Sequence, residues 1–142
     1  ATVLAGRNVR TSIDPNLPLV TADGVLLNHA LLNLVDNAAK YAPVDKPIEI
    51  IARMGRRGPV IDVLDSGPGI PVGSEQRIFD RFARGETSDR TGGSGLGLAI
   101  VKGFAEAMGF SVEAARRQGG GTRFTIRMPS SAIVQIAPEE MP

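Results

Sequence analysis

The chain has 142 residues, of which 42% are hydrophobic and 22% charged, and its formal net charge is +1. These values are typical of one soluble globular domain, and the scattered basic residues show no footprint of nucleic-acid binding. The absence of cysteine excludes disulfides, thiolate catalysis and cysteine-ligated metals, and a single histidine excludes a histidine-rich metal site. Because no apolar run reaches about 18 residues and no signal peptide is recognisable, we expect a soluble segment, an expectation that is compatible with a place in a larger, even membrane-anchored, protein.

The first 21 residues predict the end of a helix and two short strands. Residues 1–7 begin with a short apolar stretch that a glycine stops, as at the end of a preceding helix. Apolar and polar residues alternate over residues 7–14, which predicts a strand. The turn residues Asp14-Pro15-Asn16 end it, and residues 18–21 predict a second short strand.

Residues 25–41, VLLNHALLNLVDNAAKY, predict the long helix around which the rest of the chain is organised. Asp23 is its expected N-cap, and Pro43 blocks its continuation. Its polar side chains share one narrow stripe, which consists of His29, Asn33, Asp36, Asn37 and Lys40. Asparagine fits a helix interior poorly and costs roughly 0.6 kcal/mol against alanine. The stripe is therefore either a polar seam that faces solvent or a site for a ligand that carries phosphates and a metal ion.

The middle of the chain predicts a hairpin, a tight turn and a short helix. Two β-branched runs, residues 48–54 and 59–64, flank a turn bounded by glycines and predict the hairpin. The turn from Asp65 to Gly69 then leaves a carboxylate at the end of a buried strand. A short helix follows over residues 75–84, and we expect the glycine-rich stretch 85–95 to be mobile.

The last part of the chain predicts one helix and one hairpin. The helix starts within residues 93–98 and runs to about Met108. Residues 111–115 and 122–128 predict a hairpin, and residues 130–142 a flexible tail. Together the elements predict an α+β fold, a two-layer α/β sandwich in which a mixed sheet of about five strands carries about three helices on one face.

Three further features are candidates for contact with a ligand. The glycines of residues 93–97 form either a plain flexible loop or a phosphate cradle at a helix start, although their spacing is not that of a P-loop. Asp65 is either a turn residue that bonds its own backbone or a pocket carboxylate that accepts from an amino group. Arg84 is either an isolated surface residue or a lid residue that reaches a phosphate bidentately.

The order of these features resembles the catalytic ATP-binding domain of sensor histidine kinases, whose superfamily includes type II topoisomerase ATPase domains, mismatch-repair ATPases and a heat-shock chaperone. The run NLVDNAAKY from Asn33 resembles the N box, DSGPG from Asp65 the G1 box, IFDRF from Ile78 the F box, GSGLGLAIV from Gly93 the G2 box, and GTRF from Gly121 the closing strand. The resemblance covers about residues 8–129. The sequence around the N box and at residues 82–85 further resembles the potassium-responsive osmosensor (Kdp) type.

The resemblance implies a role for each candidate residue. Asn37 would hold Mg²⁺, and Asn33 would help to orient the metal or the phosphates. Lys40 and Arg84 would contact the phosphates, Tyr41 would lie along the adenosine, and Asp65 would accept from the adenine amino group. The other implied nucleotide contacts are Gly67, Gly69, Gly93, Ser94, Gly95, Leu96, Gly97, Leu98 and Thr122. Residues 71–94 would form a lid over the nucleotide. One departure is Phe110, where the family commonly has a second glycine, which puts the turn before the next strand in question.

The resemblance implies a protein-histidine kinase catalytic domain that binds Mg-ATP and donates the γ-phosphoryl group to a histidine on a separate dimerisation domain. Hydrolytic relatives carry a glutamate where this chain has Asn33, which cannot take a proton, so we expect phosphoryl transfer and not hydrolysis. His29 lies within the nucleotide helix and is expected to be structural. The chain alone is therefore not expected to phosphorylate itself.

Two other functional classes remain open. A serine kinase that silences a sigma factor shares the fold, but the F box argues against it. A non-catalytic nucleotide-sensing or docking module would keep the fold without transfer, and the intact site residues argue against that. The expected partners are ATP, the dimerisation and acceptor domain and a response regulator, with no nucleic acid and no direct membrane contact. The expected location is the cytoplasmic portion of a membrane-anchored sensor kinase.

Overall fold

The structure is a computed structural model and describes residues 2–4, 7–43, 45–69, 77–79 and 97–134. In chain order the elements are β1 (Thr2–Leu4), β2 (Arg7–Ile13), α1 (Gly24–Tyr41), β3 (Ile48–Gly55), β4 (Gly58–Leu64), a 3-10 turn (Arg77–Phe79), α2 (Gly97–Ala107), β5 (Ser111–Arg116), β6 (Thr122–Arg127) and a second 3-10 turn (Ser130–Ala132).

The strands form one mixed, six-stranded sheet in the order β1-β2-β3-β4-β6-β5. β2 and β3 run parallel, and the other neighbouring strands run antiparallel. A parallel pair needs a long crossover, and α1 supplies it. α1 packs against β3, β4 and α2, while α2 packs against β5. The predicted α+β sandwich is confirmed, with one strand more than the expected five. The described residues contain two α-helices, and the predicted third helix over residues 75–84 lies outside them except for the first 3-10 turn.

The two faces of the sheet differ in polarity because side chains alternate along each strand. Ile61 and Phe124 belong to the same hydrophobic core as residues of both helices. On the opposite face, Asp62 is only 3% exposed, and its carboxylate is 2.8 Å from Nε of Arg53 and 2.6 Å from Oγ1 of Thr125. This buried charge is paired and hydrogen-bonded, as burial requires. The helices therefore cover one face, and the other face carries this buried polar cluster beside the buried side chain of Val60.

α1 begins and ends where the sequence predicts. The Asp23 carboxylate accepts from the backbone N–H groups of Val25 and Leu26 at 3.0 and 3.1 Å, a cap that typically contributes about 1 kcal/mol. At the other end, the N–H of Ala42 donates to Ala38, and Pro43 follows. The buried side of the helix includes Leu34, which is fully buried. Packing of this side fixes which side chains of α1 point away from the core.

The turn after α2 forms although a phenylalanine stands where the family commonly has glycine. Gly109 has a φ of +77° and donates to Glu106, and the N–H of Phe110 donates to Ala105 at 2.8 Å. These two bonds are those of a Schellman motif, which needs one left-handed residue. The Phe110 side chain is buried in the core. The departure from the family pattern therefore leaves the turn intact.

The predictions for both chain ends are wrong in part. Thr2–Leu4 is a strand that pairs antiparallel with β2, and not the end of a helix. The strand predicted over residues 18–21 is reduced to one bridge between Val20 and Ile133. The predicted flexible tail is packed over residues 130–134, because the N–H of Thr21 donates to Ala132 at 2.7 Å and that of Val134 to Leu19 at 2.8 Å. The rest of the tail, residues 135–142, lies outside the described residues.

Among the described residues, no helix is both long and apolar enough to cross a membrane.

The core face of α1 yields a prediction about stability. Leu34 is 0% exposed and Leu32, on the same helix, is 50% exposed. Leu34→Ala is expected to lower the free energy of unfolding by about 2–5 kcal/mol, because it removes packed atoms and leaves a cavity. Leu32→Ala is the matched control and is expected to change it by about 0.5 kcal/mol. Denaturant unfolding measures both, and equal losses would contradict the orientation of α1.

Candidate functional site

The polar stripe of α1 meets the first residue of α2. Asn33 and Asn37 are half-buried, and Nδ2 of Asn33 donates to the carbonyl of His29 at 2.8 Å. A Cβ placed on Gly97 would lie 4.0 Å from Oδ1 of Asn33, so the amide oxygen faces the start of α2. Backbone N–H groups at a helix start lack intrahelical partners and carry a partial positive charge. The N-terminus of α2 therefore lies beside a stripe that carries two amides and an ammonium group.

Lys40 lies at the end of this stripe and is held by a surface ion pair. Its Nζ is 3.4 Å from the carboxylate of Asp36, one helical turn earlier, and the two side chains are 40% and 61% exposed. Pairs of this kind contribute only about 0.3–0.5 kcal/mol. The ammonium group can therefore leave Asp36 for a more highly charged anion at little cost.

Asp65 lies directly after β4, and the backbone around it fixes its carboxylate. The residue is 4% exposed. Its Oδ1 accepts from the N–H of Gly67 at 2.8 Å and from the N–H of Thr122 at 3.2 Å. Its own N–H donates to the carbonyl of Thr122 at 3.0 Å. The bond to Gly67 is the local turn bond that was one of the two alternatives, but the bond to Thr122 crosses to β6. A turn aspartate alone would not need that second bond.

Two glycines allow the backbone to come this close to Asp65. Gly121 has a φ of +107°, and a Cβ there would overlap the carbonyl oxygen of Asp65. Gly69 has a φ of +82°, and a Cβ there would lie 3.0 Å from the carbonyl oxygen of Gly121. Both positions therefore favour glycine through conformation and through lack of space. The turn after β4 and the hairpin turn before β6 are packed backbone against backbone.

Arg117 also contacts this turn, and the sequence analysis missed it. Its guanidinium donates to the carbonyl of Asp65 at 3.0 Å and to the carboxylate of Glu49 at 3.2 Å. Arg117 sits in the polar stretch that leads into the hairpin turn, and its partners are more than 50 positions away. Local pattern carries no signal for such a contact.

The remaining predicted site residues divide into three groups. Thr122 is buried and supplies the N–H that Asp65 accepts. Tyr41 is the last residue of α1, and Leu98 lies in the first turn of α2 with its side chain packed against the core. The residues outside the described part are Arg84, Gly93, Ser94, Gly95 and Leu96, together with most of the predicted lid 71–94.

Two aromatic contacts place residues beside the site. Phe79, from the predicted F box, is 3% exposed and meets Phe124 edge to face, with ring centroids 6.1 Å apart. His29 lies against Phe104 of α2, with centroids 6.0 Å apart. Phe79 is part of the hydrophobic core. The second contact links α1 to α2 one turn before Asn33.

The donor set suits a magnesium nucleotide. In the part of the chain that is described, no three His, Asp or Glu side chains converge in a way that would hold a metal by themselves. Mg²⁺ is usually bound through one or two protein oxygens plus phosphates and water. The amide oxygen of Asn37 and the phosphates of a nucleotide would form such a set. The residues present therefore fit the group.

A protein-family model and a known protein each match most of this chain. The family model described as histidine kinase-, DNA gyrase B-, and HSP90-like ATPase matches residues 22–132. Sensor protein KdpD of Escherichia coli (strain K12) is 40% identical over 131 residues, which cover 92% of this chain and 14% of that protein. The chain therefore spans a small part of this relative.

Solved structures show the same fold. The mycobacterial sensor histidine kinase MprB superposes with a TM-score of 0.73 and 31% identity, covering 88% of this chain and 83% of that one. Full-length ShkA in complex with AMPPNP superposes with a TM-score of 0.76 and 31% identity, covering 94% of this chain and 27% of that one.

The contact at Gly121 can be tested against its neighbour. Gly120 has a φ of +111° but nothing within 4 Å of an added Cβ, so Gly120→Ala is expected to cost about 1–2 kcal/mol from backbone strain alone. Gly121→Ala adds a collision with Asp65 and is expected to cost about 3 kcal/mol or more. Denaturant unfolding of both variants measures the difference. If the two variants lose the same stability, the close approach to Asp65 is not a constraint.

Proposed function

The chain belongs to the histidine kinase-, DNA gyrase B-, and HSP90-like ATPase family, and from this membership we propose that it binds Mg-ATP and donates the γ-phosphoryl group to a histidine of a separate dimerisation domain. Its relatives are sensor kinases, and the chain is a histidine kinase-type ATPase domain of such kinases. The observation that carries the proposal is the fixed carboxylate of Asp65, which accepts from both Gly67 and Thr122.

Each part of the site has a task in nucleotide binding. A carboxylate accepts hydrogen bonds and donates none, so Asp65 suits the exocyclic amino group of adenine. The start of α2, which faces Asn33, suits the phosphates. Lys40 would add a point charge there, and Asn37 an oxygen ligand for Mg²⁺. Bound Mg²⁺ would neutralise phosphate charge during transfer, which depends mainly on positioning and electrostatics.

The chemistry of Asn33 favours transfer to a protein acceptor over hydrolysis. Activation of a water molecule needs a group that takes its proton. The amide of Asn33 cannot do so, and its nitrogen is bound to the helix backbone at His29. The chain would therefore hydrolyse bound ATP slowly and transfer its γ-phosphoryl group to an acceptor histidine.

The acceptor is proposed to lie outside this chain. His29 is the only histidine. It lies on α1, the helix that carries the polar stripe, and its ring contacts that of Phe104 on α2. We assign it a packing role.

The wider context of the chain follows from its relatives. Similarity to KdpD, of which the chain spans 14%, favours the Kdp type of sensor kinase. A chain of that type would be the cytoplasmic portion of a membrane-anchored sensor. Its protein partners would be its own acceptor domain and, downstream, a response regulator.

Binding of Mg²⁺ and a non-hydrolysable ATP analogue tests the stripe of α1. Asn37→Ala is expected to weaken binding by about 2 kcal/mol or more, because it removes an oxygen ligand of the metal. Asn28→Ala is the matched control. Asn28 is exposed, lies nine residues before Asn37 and points to the opposite side of the helix. Titration calorimetry measures both. Unweakened binding in Asn37→Ala, or equal weakening in the control, would remove Asn37 from the site.

Phosphoryl transfer is tested with the acceptor domain supplied separately. The chain with labelled ATP is expected to give acid-labile label on the acceptor domain and none on itself, and His29→Gln is expected to behave like the unchanged protein. Release of free phosphate is expected to stay well below about 1 s⁻¹, the lower end of typical enzyme turnover. Label on His29, or phosphate release at that rate, would contradict the proposal.

A further inference from the structure

Arg117 joins three segments that are distant in the sequence. Its guanidinium donates to the carbonyl of Asp65 at 3.0 Å and to the carboxylate of Glu49 at 3.2 Å, and it lies 3.5 Å from Oγ of Ser66. Glu49 lies on β3 opposite Leu64, the last residue of β4. One side chain therefore spans from the β5–β6 hairpin across the end of β4 to β3.

The backbone of Arg117 takes part in the same contact. Its N–H donates to the carbonyl of Gly121 at 2.9 Å and so closes the hairpin turn. Gly121 in turn packs against the carbonyl of Asp65. The guanidinium of Arg117 thus bonds to the Asp65 carbonyl directly, and its main chain bonds to Gly121, which packs against the same carbonyl. A shift of this hairpin would move the N–H of Thr122, which fixes the carboxylate of Asp65.

Glu49 gives the guanidinium its orientation. A guanidinium carries donors in a rigid, planar fork, so one end can bind a carboxylate while the other binds a carbonyl. Lysine would place a single point charge there. The Arg117 and Glu49 side chains are 29% and 34% exposed, and ion pairs of such exposure contribute little to stability. We therefore expect the ion pair to act by orienting the guanidinium, and not by adding stability to the fold.

We propose that Arg117, oriented by Glu49, is a positioning residue that aims the carboxylate of Asp65 at the amino group of adenine and so sets the preference for ATP. This inference rests on the proposed adenine contact of Asp65. It assigns the selectivity for the base to a residue that does not touch the base.

The test compares ATP with purine riboside triphosphate, which differs from ATP by lacking the amino group, both with Mg²⁺. The unchanged chain is expected to bind ATP roughly tenfold or more tightly than the analogue, the scale of a hydrogen bond to a charged group. Arg117→Gln and Glu49→Gln are each expected to lower this ratio roughly threefold or more. Arg117→Lys is expected to resemble Arg117→Gln, because the fork is lost while the charge remains. A merely structural role would weaken both nucleotides equally and leave the ratio unchanged.

Two controls separate the possible failures. Arg123→Gln removes the same charge from an exposed position on β6 and is expected to keep the ratio. Asp65→Asn is expected to abolish the preference. If Asp65→Asn does so while the Arg117 and Glu49 variants keep the ratio, this inference is wrong and the proposed function stands. If the unchanged chain shows no preference for ATP, the proposed adenine contact fails and this inference with it.

A second measurement needs no nucleotide and guards against misfolding. The amide resonances of Gly67 and Thr122 report their bonds to Asp65. Glu49→Gln, which keeps the side-chain size, is expected to shift both resonances while leaving the melting temperature nearly unchanged. Unshifted resonances in a folded Glu49→Gln protein would overturn the inference.

Discussion

The close approach of Gly121 to the carbonyl of Asp65 is the constraint on which the site depends. The two residues are distant in the sequence but so close in space that a Cβ added at Gly121 would collide with the carbonyl of Asp65. This contact brings the N–H of Thr122 to the carboxylate of Asp65. The strand order, with β6 beside β4, makes the approach possible. The fold thus fixes this carboxylate at the end of β4, a central strand of the sheet.

The long helix shows how the proposed function conflicts with local helix preference. Asn33 and Asn37 are poor helix formers, and a solvent-facing stripe would be more stable with lysine or glutamate. The helix tolerates them because its opposite side, with Leu34 and Ala38, is fully buried and because Asp23 caps its start. Tertiary packing therefore offsets the cost of two amides. Conflicts of this kind between propensity and structure are expected at functional sites.

The sequence predicted the elements that local chemistry determines. The cap at Asp23, the stop at Pro43 and the hairpin of β3 and β4 all involve neighbours in the chain, and all are confirmed. The strand character of Thr2–Leu4 was missed because it depends on pairing with β2, and the packing of residues 130–134 was missed because it depends on contact with residues 19–21. In the proposed site, the motifs pointed to Asp65, but nothing local pointed to Arg117, whose partners Asp65 and Glu49 are distant in the sequence.

We propose that the stripe of α1 and the turn at Asp65 form one nucleotide site. Amide chemical-shift mapping with Mg²⁺ and AMPPNP tests it most directly, because it locates binding without assuming a residue. The largest changes are predicted at Asn33 and Asn37, at residues 65–69 and at residues 121–122. Binding with changes confined to the polar face of the sheet around Asp62 and Thr125, or no change in the folded chain, would contradict the account.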